Sequence, residues 1–186
     1  MSKGKAGQDK KKLLQLLKRK AFKKGKIILS SGKSSNYYLD GRLVTLNSQG
    51  AYLLANILFD LIKKKGATAI GGPTIGADPI VGAVINLAAI KRKKLNGFIV
   101  RKAAKGHGMR RLIEGPQLFA GTRVILVDDV ATTGTSLVEA KRILDKQRVQ
   151  VICAVVIFDR EEGAAENLAK AGCPLISIFK KDDLLK

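Results

Sequence analysis

Two adjacent carboxylates follow an unbroken apolar run and precede a loop made mostly of Ala, Thr and Gly. The run Val124–Val127 has the length and β-branching of a strand that is buried on both faces, and it leads directly into Asp128 and Asp129. The loop Val130–Gly134 follows, and a helical pattern begins near Ser136. Backbone N–H groups at the start of a helix bind anions, whereas carboxylates suit hydroxyl groups or a metal ion. The combination predicts a site for a ribose phosphate.

A second group of candidate residues lies in a basic segment after the predicted strand Asn96–Val100. Arg101, Lys102 and Lys105 stand there with His107, the only histidine of the chain. Apolar anchors are sparse and glycine is frequent, so the segment has the composition of a mobile loop. A plain surface loop would seldom place so much positive charge directly after a buried strand. The pattern therefore favours a functional loop.

A lone arginine follows the last long apolar run. Val151–Phe158 has the composition of a buried strand, and Asp159 and Arg160 come directly after it. Open α/β sheets bind ligands in the crevice at the carboxyl ends of their strands, so Arg160 is a candidate ligand contact. The alternative is that Arg160 forms an ion pair with Glu161 or Glu162.

The charge of the chain is far from balanced. The 186 residues include 35 Lys and Arg against 15 Asp and Glu, which gives a formal net charge of +20. Such a surface steers anionic ligands toward the protein and permits contact with the phosphates of a nucleic acid. No nucleic-acid-binding motif accompanies the charge, which favours a solvated, lysine-rich surface instead.

Length and residue usage predict one soluble, cytoplasmic domain. A chain of this length can bury a sizeable core, and no apolar run reaches the length of a membrane span. The basic N-terminus Met1–Lys12 is not followed by the apolar segment of a secretory signal. Cys153 and Cys173 are too few for a disulfide framework and are expected to be reduced and inert.

The N-terminal part of the chain predicts a basic helix. Residues 1–7 show no pattern and are expected to be disordered. Over about 8–24 the apolar residues recur at helical spacing, with lysines on the other face; they are Leu13, Leu16, Leu17 and Ala21. A basic helix can contact RNA or a membrane, but the apolar stripe favours packing on the protein, and Gly25 is expected to end the helix.

Strand and helix patterns alternate along the rest of the chain. Short strands are expected at Ile27–Leu29 and Tyr37–Leu39, and long helices over Ser48–Lys65 and Ile80–Ile90. The expected N-caps of the three central helices are Ser48, Asp78 and Ser136. The alternation predicts a mostly parallel central sheet of about five strands with helices on both faces.

Three segments resemble a known family. Val127–Thr135, with the sequence Val-Asp-Asp-Val-Ala-Thr-Thr-Gly-Thr, resembles the 5-phosphoribosyl 1-pyrophosphate (PRPP) motif of type I phosphoribosyltransferases. Leu29–Tyr38 is similar to the hood segment of the orotate branch, with its Leu-x-Ser-Gly-x-x-Ser-x-Tyr-Tyr pattern. Arg101–His107 matches the Arg-Lys-x-x-Lys-x-His pattern of the catalytic loop. The resemblance extends from about Ile27 to Phe179.

This resemblance implies a fold and an activity. The fold is the type I phosphoribosyltransferase fold, with a mostly parallel five-stranded sheet flanked by helices and a small β hood. One domain would cover residues 1–186, with the N-terminal helix and hood in about 8–45. The activity would be transfer of ribose 5-phosphate from PRPP to orotate, with Mg²⁺ carried by PRPP, in a homodimer that shares its catalytic loop. The alternatives are a phosphoribosyltransferase for another base and a PRPP-sensing regulator that binds nucleic acid.

The resemblance also implies a role for individual residues. The expected catalytic residues are Lys102, Lys105, His107, Asp128 and Asp129. The expected PRPP contacts are Arg101, Lys102, Lys105, His107, Asp128, Asp129, Val130, Ala131, Thr132, Thr133, Gly134, Thr135 and Ser136. The expected orotate contacts are Thr132 and Arg160, since a guanidinium fork suits a flat ring that bears a carboxylate.

Three positions concern the loops around the expected site. The loop that faces the pyrophosphate often contains a non-proline cis peptide in this family, and the matching bond here is Thr74–Ile75. Some relatives carry a lysine where Ser30 or Gly76 stands, so this chain lacks those two positive charges.

Overall fold

The computed structural model describes residues 3–28, 34–101 and 112–185. Its helices are α1 Lys3–Lys20, α2 Arg42–Thr45, α3 Ser48–Lys65, α4 Ala77–Ile90, α5 Thr135–Lys146, α6 Ala164–Lys170 and α7 Lys181–Leu185. Its strands are β1 Phe22–Ile28, β2 Ser34–Leu39, β3 Ala69–Pro73, β4 Asn96–Val100, β5 Ile113–Glu114, β6 Arg123–Ala131, β7 Gln150–Asp159 and β8 Leu175–Lys180.

The central sheet is mostly parallel, as the sequence predicts. Its strand order is β5-β4-β3-β6-β7-β8, and only the two-residue strand β5 runs antiparallel to its neighbour. The chain moves outward from β3 to β4 and then returns to place β6 on the other side of β3. The strand order therefore reverses between β3 and β6, and such a point is where open α/β sheets bind their ligands.

The alternating residues of β6 divide the core between the two faces of the sheet. Ile125 and Val127 belong to the cluster that α1, α3 and α4 cover, whereas Val124 and Leu126 belong to the cluster that α5 and α6 cover. All four side chains are almost completely buried. Burial on both faces explains why this strand is an unbroken apolar run in the sequence. A well-packed β6 fixes the backbone positions of Asp128 and Asp129, which lie in its carboxyl-terminal half.

The predicted hood is an antiparallel hairpin of β1 and β2. Its buried Tyr37 contacts the core, because its ring lies edge-on to Phe158 with centroids 6.2 Å apart. The Phe22 ring also packs against Tyr37, with the ring centroids 5.7 Å apart. The hairpin is thereby attached to the carboxyl end of β7, beside the strand ends that form the crevice.

The N-terminal helix differs from its prediction at both ends. It begins at Lys3, so residues 3–7 are helical where disorder was expected. It ends at Lys20 because the next residues pair with β2, starting with Phe22 opposite Leu39. Gly25 therefore lies within β1, where a positive φ accompanies an irregularity in the pairing. The apolar stripe is buried, which supports packing on the protein.

The predicted caps of α3 and α4 are wrong by one and two residues, respectively. Asn47, and not Ser48, caps α3 by accepting a hydrogen bond from Gly50 N–H at 3.3 Å, which agrees with the strong preference of Asn for this position. α4 begins at Ala77, so Asp78 lies inside its first turn and accepts a hydrogen bond from the Thr74 hydroxyl at 2.8 Å. The sequence analysis also missed the short elements α2 and β5. Within the described ranges, no helix combines the length and apolar character that a bilayer span requires.

Candidate functional site

The two carboxylates lie at the carboxyl end of β6, beside the point where the strand order reverses. Asp128 Oδ1 accepts a hydrogen bond from Asp129 N–H at 2.9 Å, and Asp129 Oδ1 accepts one from Val130 N–H at 2.8 Å. Burial raises the pKa of the Asp129 carboxyl, and the hydrogen bond from Val130 offsets only part of this effect. Ionised Asp129 is therefore poorly solvated, and a ligand hydroxyl or cation would stabilise it.

Two glycines leave the space that the carboxylates occupy. A Cβ at Gly76 would collide with Asp128 Oδ1 and would lie 2.6 Å from Asp129 Oδ1. A Cβ at Gly41 would lie 2.9 Å from Asp129 Oδ2. A cavity of about 220 Å³ opens beside Asp129; its lining is Tyr38, Leu39, Asp40, Gly41, Arg42, Ile75, Gly76, Asp129 and Val130. The hood, the β3–α4 loop and the end of β6 thus meet at one crevice.

The loop after β6 leads into a helix start that no described side chain caps. α5 begins at Thr135, one residue before the predicted Ser136, and its N-cap is Gly134 with a φ of 73°. The prediction of Ser136 as the N-cap is therefore wrong. A Cβ at Gly134 would approach the Ala164 backbone to 3.2 Å, so both the backbone angle and the packing favour glycine here. An uncapped helix N-terminus offers N–H groups to an anion.

Arg160 connects the end of β7 to the hood and to this loop. Its N–H donates to the Ala131 carbonyl at 2.9 Å, and its guanidinium lies over the Tyr37 ring at 4.6 Å from the centroid. Arg160 Nε donates to Glu162 Oε1 at 2.9 Å, so the alternative of an ion pair within this segment is confirmed for Glu162. The side chain is 5% exposed. A buried guanidinium is thus held beside the hood, one residue beyond β7.

Known proteins are similar to this chain in sequence and in fold. A sequence profile described as the phosphoribosyl transferase domain matches residues 46–178. The chain is 42% identical to the orotate phosphoribosyltransferase of Streptomyces avermitilis over 92% of this chain and 94% of that protein. It is 40% identical to that of Aquifex aeolicus over 95% and 98%.

Solved structures of orotate phosphoribosyltransferases are also similar to this chain. The orotate phosphoribosyltransferase of Mycobacterium tuberculosis in complex with PRPP superposes with a TM-score of 0.77 at 30% identity, covering 96% of this chain and 99% of that one. The enzyme of Aeropyrum pernix gives 0.77 at 33% identity, covering 93% and 96%. The chain belongs to the orotate phosphoribosyltransferase family. The type I phosphoribosyltransferase fold predicted from the sequence is thereby confirmed.

Several residues that the family resemblance selects are outside the described ranges. Lys102, Lys105 and His107 belong to the segment 102–111, and Ser30 belongs to 29–33. Arg101 is the last described residue before the segment 102–111, and its N–H donates to the Leu112 carbonyl at 2.8 Å. Its Nη1 lies 3.6 Å from Glu114 Oε1. The two ends of the loop are therefore joined next to β4.

The β3–α4 loop has the backbone expected for an orotate phosphoribosyltransferase. The Thr74–Ile75 peptide bond is cis, as predicted. The loop also places Gly76 against both carboxylates of the PRPP motif. Gly76 stands where some relatives carry lysine. Its backbone here packs closely against the side chains of Asp128 and Asp129 on β6.

The crevice contains an ion pair that was not predicted from the sequence. Arg42 Nε and Nη2 donate to the two oxygens of Asp40 at 2.9 and 3.1 Å. This hydrogen bonding lowers the pKa of Asp40, and both residues line the cavity beside Asp129. The signal was the Asp-Gly-Arg sequence directly after the hood strand, where Gly41 allows the turn to approach Asp129.

Gly76→Ala is expected to lower kcat/KM about tenfold to a hundredfold without unfolding the protein. The new Cβ would require both carboxylates to rotate away, since side-chain Cβ atoms do not approach oxygen to 2.6 Å. Steady-state kinetics together with thermal unfolding measure the two effects separately. Gly82→Ala is the matched control, because it lies exposed in α4 with nothing within 4 Å of the new Cβ. Normal activity of Gly76→Ala would contradict the role of the carboxylates.

Proposed function

We propose that this protein is an orotate phosphoribosyltransferase of pyrimidine (UMP) biosynthesis. It would transfer ribose 5-phosphate from PRPP to N1 of orotate and release orotidine 5′-monophosphate and pyrophosphate. The observation that carries the proposal is the 2.9 Å hydrogen bond from Arg160 N–H to the Ala131 carbonyl. The bond joins the carboxyl ends of β6 and β7, and it supports a base contact by Arg160 next to the PRPP motif. The relatives from Streptomyces avermitilis and Aquifex aeolicus are orotate phosphoribosyltransferases, which supports the same acceptor.

The described part of the site accounts for recognition of the sugar phosphate. Asp128 and Asp129 would accept hydrogen bonds from the ribose hydroxyls, directly or through metal-bound water. The 5′-phosphate would lie at the start of α5, held by the amides and hydroxyls of 132–136. The Thr133 and Thr135 hydroxyls are 2.9 Å apart, so this side of the loop already presents two adjacent hydroxyl groups.

The chemical step requires stabilisation of charge more than covalent catalysis. Cleavage of the bond at C1 leaves a sugar with oxocarbenium character and a departing polyanion. Fixed positive charge on the leaving group lowers this barrier, and we assign it to Lys102, Lys105 and His107. Arg101 would contact the same group from the start of the loop. Closure of the loop would exclude water and so suppress hydrolysis of PRPP.

The two carboxylates suit a Mg²⁺ ion that arrives on PRPP. Within the described residues, no group of three or more His, Cys, Asp or Glu side chains could hold a metal. Asp128 and Asp129 offer hard oxygen donors of the kind that Mg²⁺ takes in ones and twos, with water and substrate phosphates completing its shell. A nearby cation would stabilise the ionised form of Asp129, whose pKa is raised by partial burial. When bound, the ion would neutralise charge on the pyrophosphate.

We also propose that the protein acts as a cytoplasmic homodimer in which the catalytic loop reaches the partner's site. Large apolar side chains lie exposed on α3, α4 and the loop before α4. Tyr52 is 57% exposed, Ile75 62% and Ile90 72%. An apolar surface of this kind beside a functional site is typical of a subunit interface. Because Ile75 belongs to the loop that contacts the carboxylates, this face adjoins the crevice.

Assay of a panel of bases with PRPP and Mg²⁺ tests the proposed acceptor. Orotate, uracil, adenine and hypoxanthine would each be incubated with the protein, and nucleotide formation would be followed by chromatography. We expect orotidine 5′-monophosphate as the only product. Conversion of a purine or of uracil in place of orotate would contradict the proposal.

Arg160→Ala is expected to weaken orotate binding about tenfold to a hundredfold and PRPP binding much less. The guanidinium fork lies on the hood tyrosine and not among the groups assigned to PRPP. Separate calorimetric titrations of the two ligands measure the effects. Arg160→Lys is the matched variant, since it keeps the charge and loses the fork. Equal losses for both ligands would contradict a contact with the base.

A further inference from the structure

The edge of the sheet opposite the crevice is formed by five adjoining segments. Helices α3, α4, α5 and α6 end there, and strands β3, β4, β6, β7 and β8 begin there. Backbone hydrogen bonds join the segments. Thr68 N–H donates to the Arg123 carbonyl at 2.9 Å, and Asn96 N–H donates to the Thr68 carbonyl at 3.2 Å. Gly121 N–H donates to the Arg148 carbonyl at 2.8 Å. We call this surface the amino edge.

The amino edge is strongly cationic. The segments 63–68, 91–96, 119–123, 146–150 and 170–174 contain no Asp or Glu. Their basic residues are Lys63, Lys64, Lys65, Lys91, Arg92, Lys93, Lys94, Arg123, Lys146, Arg148 and Lys170. All of them are exposed except Lys65, which is partly exposed, and none forms an ion pair with another described residue. These five segments therefore place eleven positive charges opposite the site assigned to PRPP.

Two of these cations occupy backbone positions that favour glycine. All four helices end in the same hydrogen-bonded motif, with a left-handed residue after the helix. After α3 and α6 this residue is glycine, Gly66 with φ 65° and Gly172 with φ 69°. After α4 and α5 it is Arg92 with φ 53° and Arg148 with φ 55°. A left-handed conformation is strained for arginine, and such strain is typical of positions that serve a function.

An exposed aromatic ring lies beside these cations. Phe119 is 65% exposed, and its N–H donates to the Thr122 hydroxyl at 3.0 Å in the turn that precedes β6. The same turn is bonded to Arg148 through Gly121. Cations that bind a phosphate backbone, together with an exposed ring on which a base can stack, are the two elements of single-strand recognition.

Favourable contact with helix dipoles explains only part of this arrangement. Lysines in the last turn of a helix stabilise its negative end, which accounts for Lys63, Lys64 and Lys146. It does not account for arginine in place of glycine, nor for Lys93 and Lys94 beyond the end of α4. Binding of an acidic protein would not require an exposed ring next to the cations. We propose that the amino edge binds single-stranded nucleic acid through its phosphates, with Phe119 stacking on a base.

Fluorescence anisotropy with a labelled single-stranded oligonucleotide of mixed sequence tests this proposal. Wild-type protein is expected to bind, with an affinity that falls steeply between 50 and 200 mM KCl. The double variant Arg92→Gly/Arg148→Gly is expected to bind about tenfold more weakly and to reduce the slope of log K against log salt by about 1.4, the value for two lost phosphate contacts. Phe119→Ala is expected to weaken the binding of a single strand more than the binding of a duplex of the same length.

The design separates binding from folding and from total charge. Glycine suits the two left-handed positions, so the double variant should unfold at an equal or higher temperature than wild type and keep its transferase activity. Lys11→Gln/Lys12→Gln on α1 removes the same charge elsewhere and should leave binding unchanged. No salt-dependent binding, equal losses in the two double variants, or equal binding to vesicles of anionic lipid would each overturn the proposal.

Discussion

Asp129→Asn is expected to lower kcat/KM for PRPP about a hundredfold and to raise the melting temperature of the ligand-free protein. Asn keeps the shape of the side chain and an oxygen that can accept the hydrogen bond from Val130. It removes the charge that we assign to the ribose hydroxyls and to the cation on PRPP. It also removes a partly buried charge, and for a chain of this size each kcal/mol gained raises the melting temperature by about 2–4 °C.

The stability gain should depend on pH in a defined direction. Because burial raises the pKa of Asp129, ionising this carboxyl costs more in the folded than in the unfolded chain. This destabilisation is fully present above the raised pKa and is relieved as the pH falls toward the ordinary value for Asp. The difference in melting temperature between Asp129→Asn and wild type should therefore be largest at neutral and alkaline pH and should shrink on acidification.

Thermal unfolding across this pH range, with and without PRPP and Mg²⁺, checks the account. Ligands should raise the melting temperature of wild type much more than that of the variant. A variant that is both less stable and fully active would contradict the assignment of Asp129 to the substrate. Glu139→Gln, an exposed carboxylate on α5, is the control and should change neither property.

Lys105→Ala is expected to lower kcat about a thousandfold while leaving the melting temperature unchanged. Pyrophosphate leaves with high negative charge, and a lysine that reaches it only when the loop closes stabilises the transition state more than the bound substrate. Single-turnover rates at saturating PRPP measure this step. Lys181→Ala removes an exposed lysine from α7 as a control. Near-normal turnover of Lys105→Ala would contradict the assignment of 101–107 as the catalytic loop.

Mixing two inactive variants tests whether the loop is shared between subunits. Asp129→Asn subunits retain Lys105, and Lys105→Ala subunits retain Asp129. If the loop of one subunit completes the site of the other, exchange of subunits should restore about a quarter of wild-type activity, because half of the dimers would have one intact site of two. No recovery after exchange would show that each subunit uses its own loop.

The fold and the carboxylate site could be predicted because the sequence signal there is local. Val124–Val127 is apolar at every position because both faces of β6 are covered, and this forces the polar groups of Asp128 and Asp129 to the strand end. The order of strand, small-residue loop and helix then predicts a parallel sheet with loops at one edge. The cis bond at Thr74–Ile75 followed from the family resemblance and is confirmed.

Other features depend on contacts that are distant in sequence. The caps at Asn47 and Gly134 depend on where each helix meets its neighbours, and a good capping residue nearby, such as Ser48 or Ser136, is not decisive. The pairing of β1 with β2 overrides the helical pattern that continues past Lys20. The grouping of cations at the amino edge could not be predicted from the net charge. The segments that form this edge are separated in the sequence by whole helices, and only the fold brings them together.

The most direct test of the central claim is the loss of orotate absorbance on mixing the protein with orotate, PRPP and Mg²⁺. The account predicts a decrease that requires all three, releases one pyrophosphate per orotate consumed and is abolished by Lys105→Ala. Unchanged orotate, with folded protein and saturating PRPP, would contradict it.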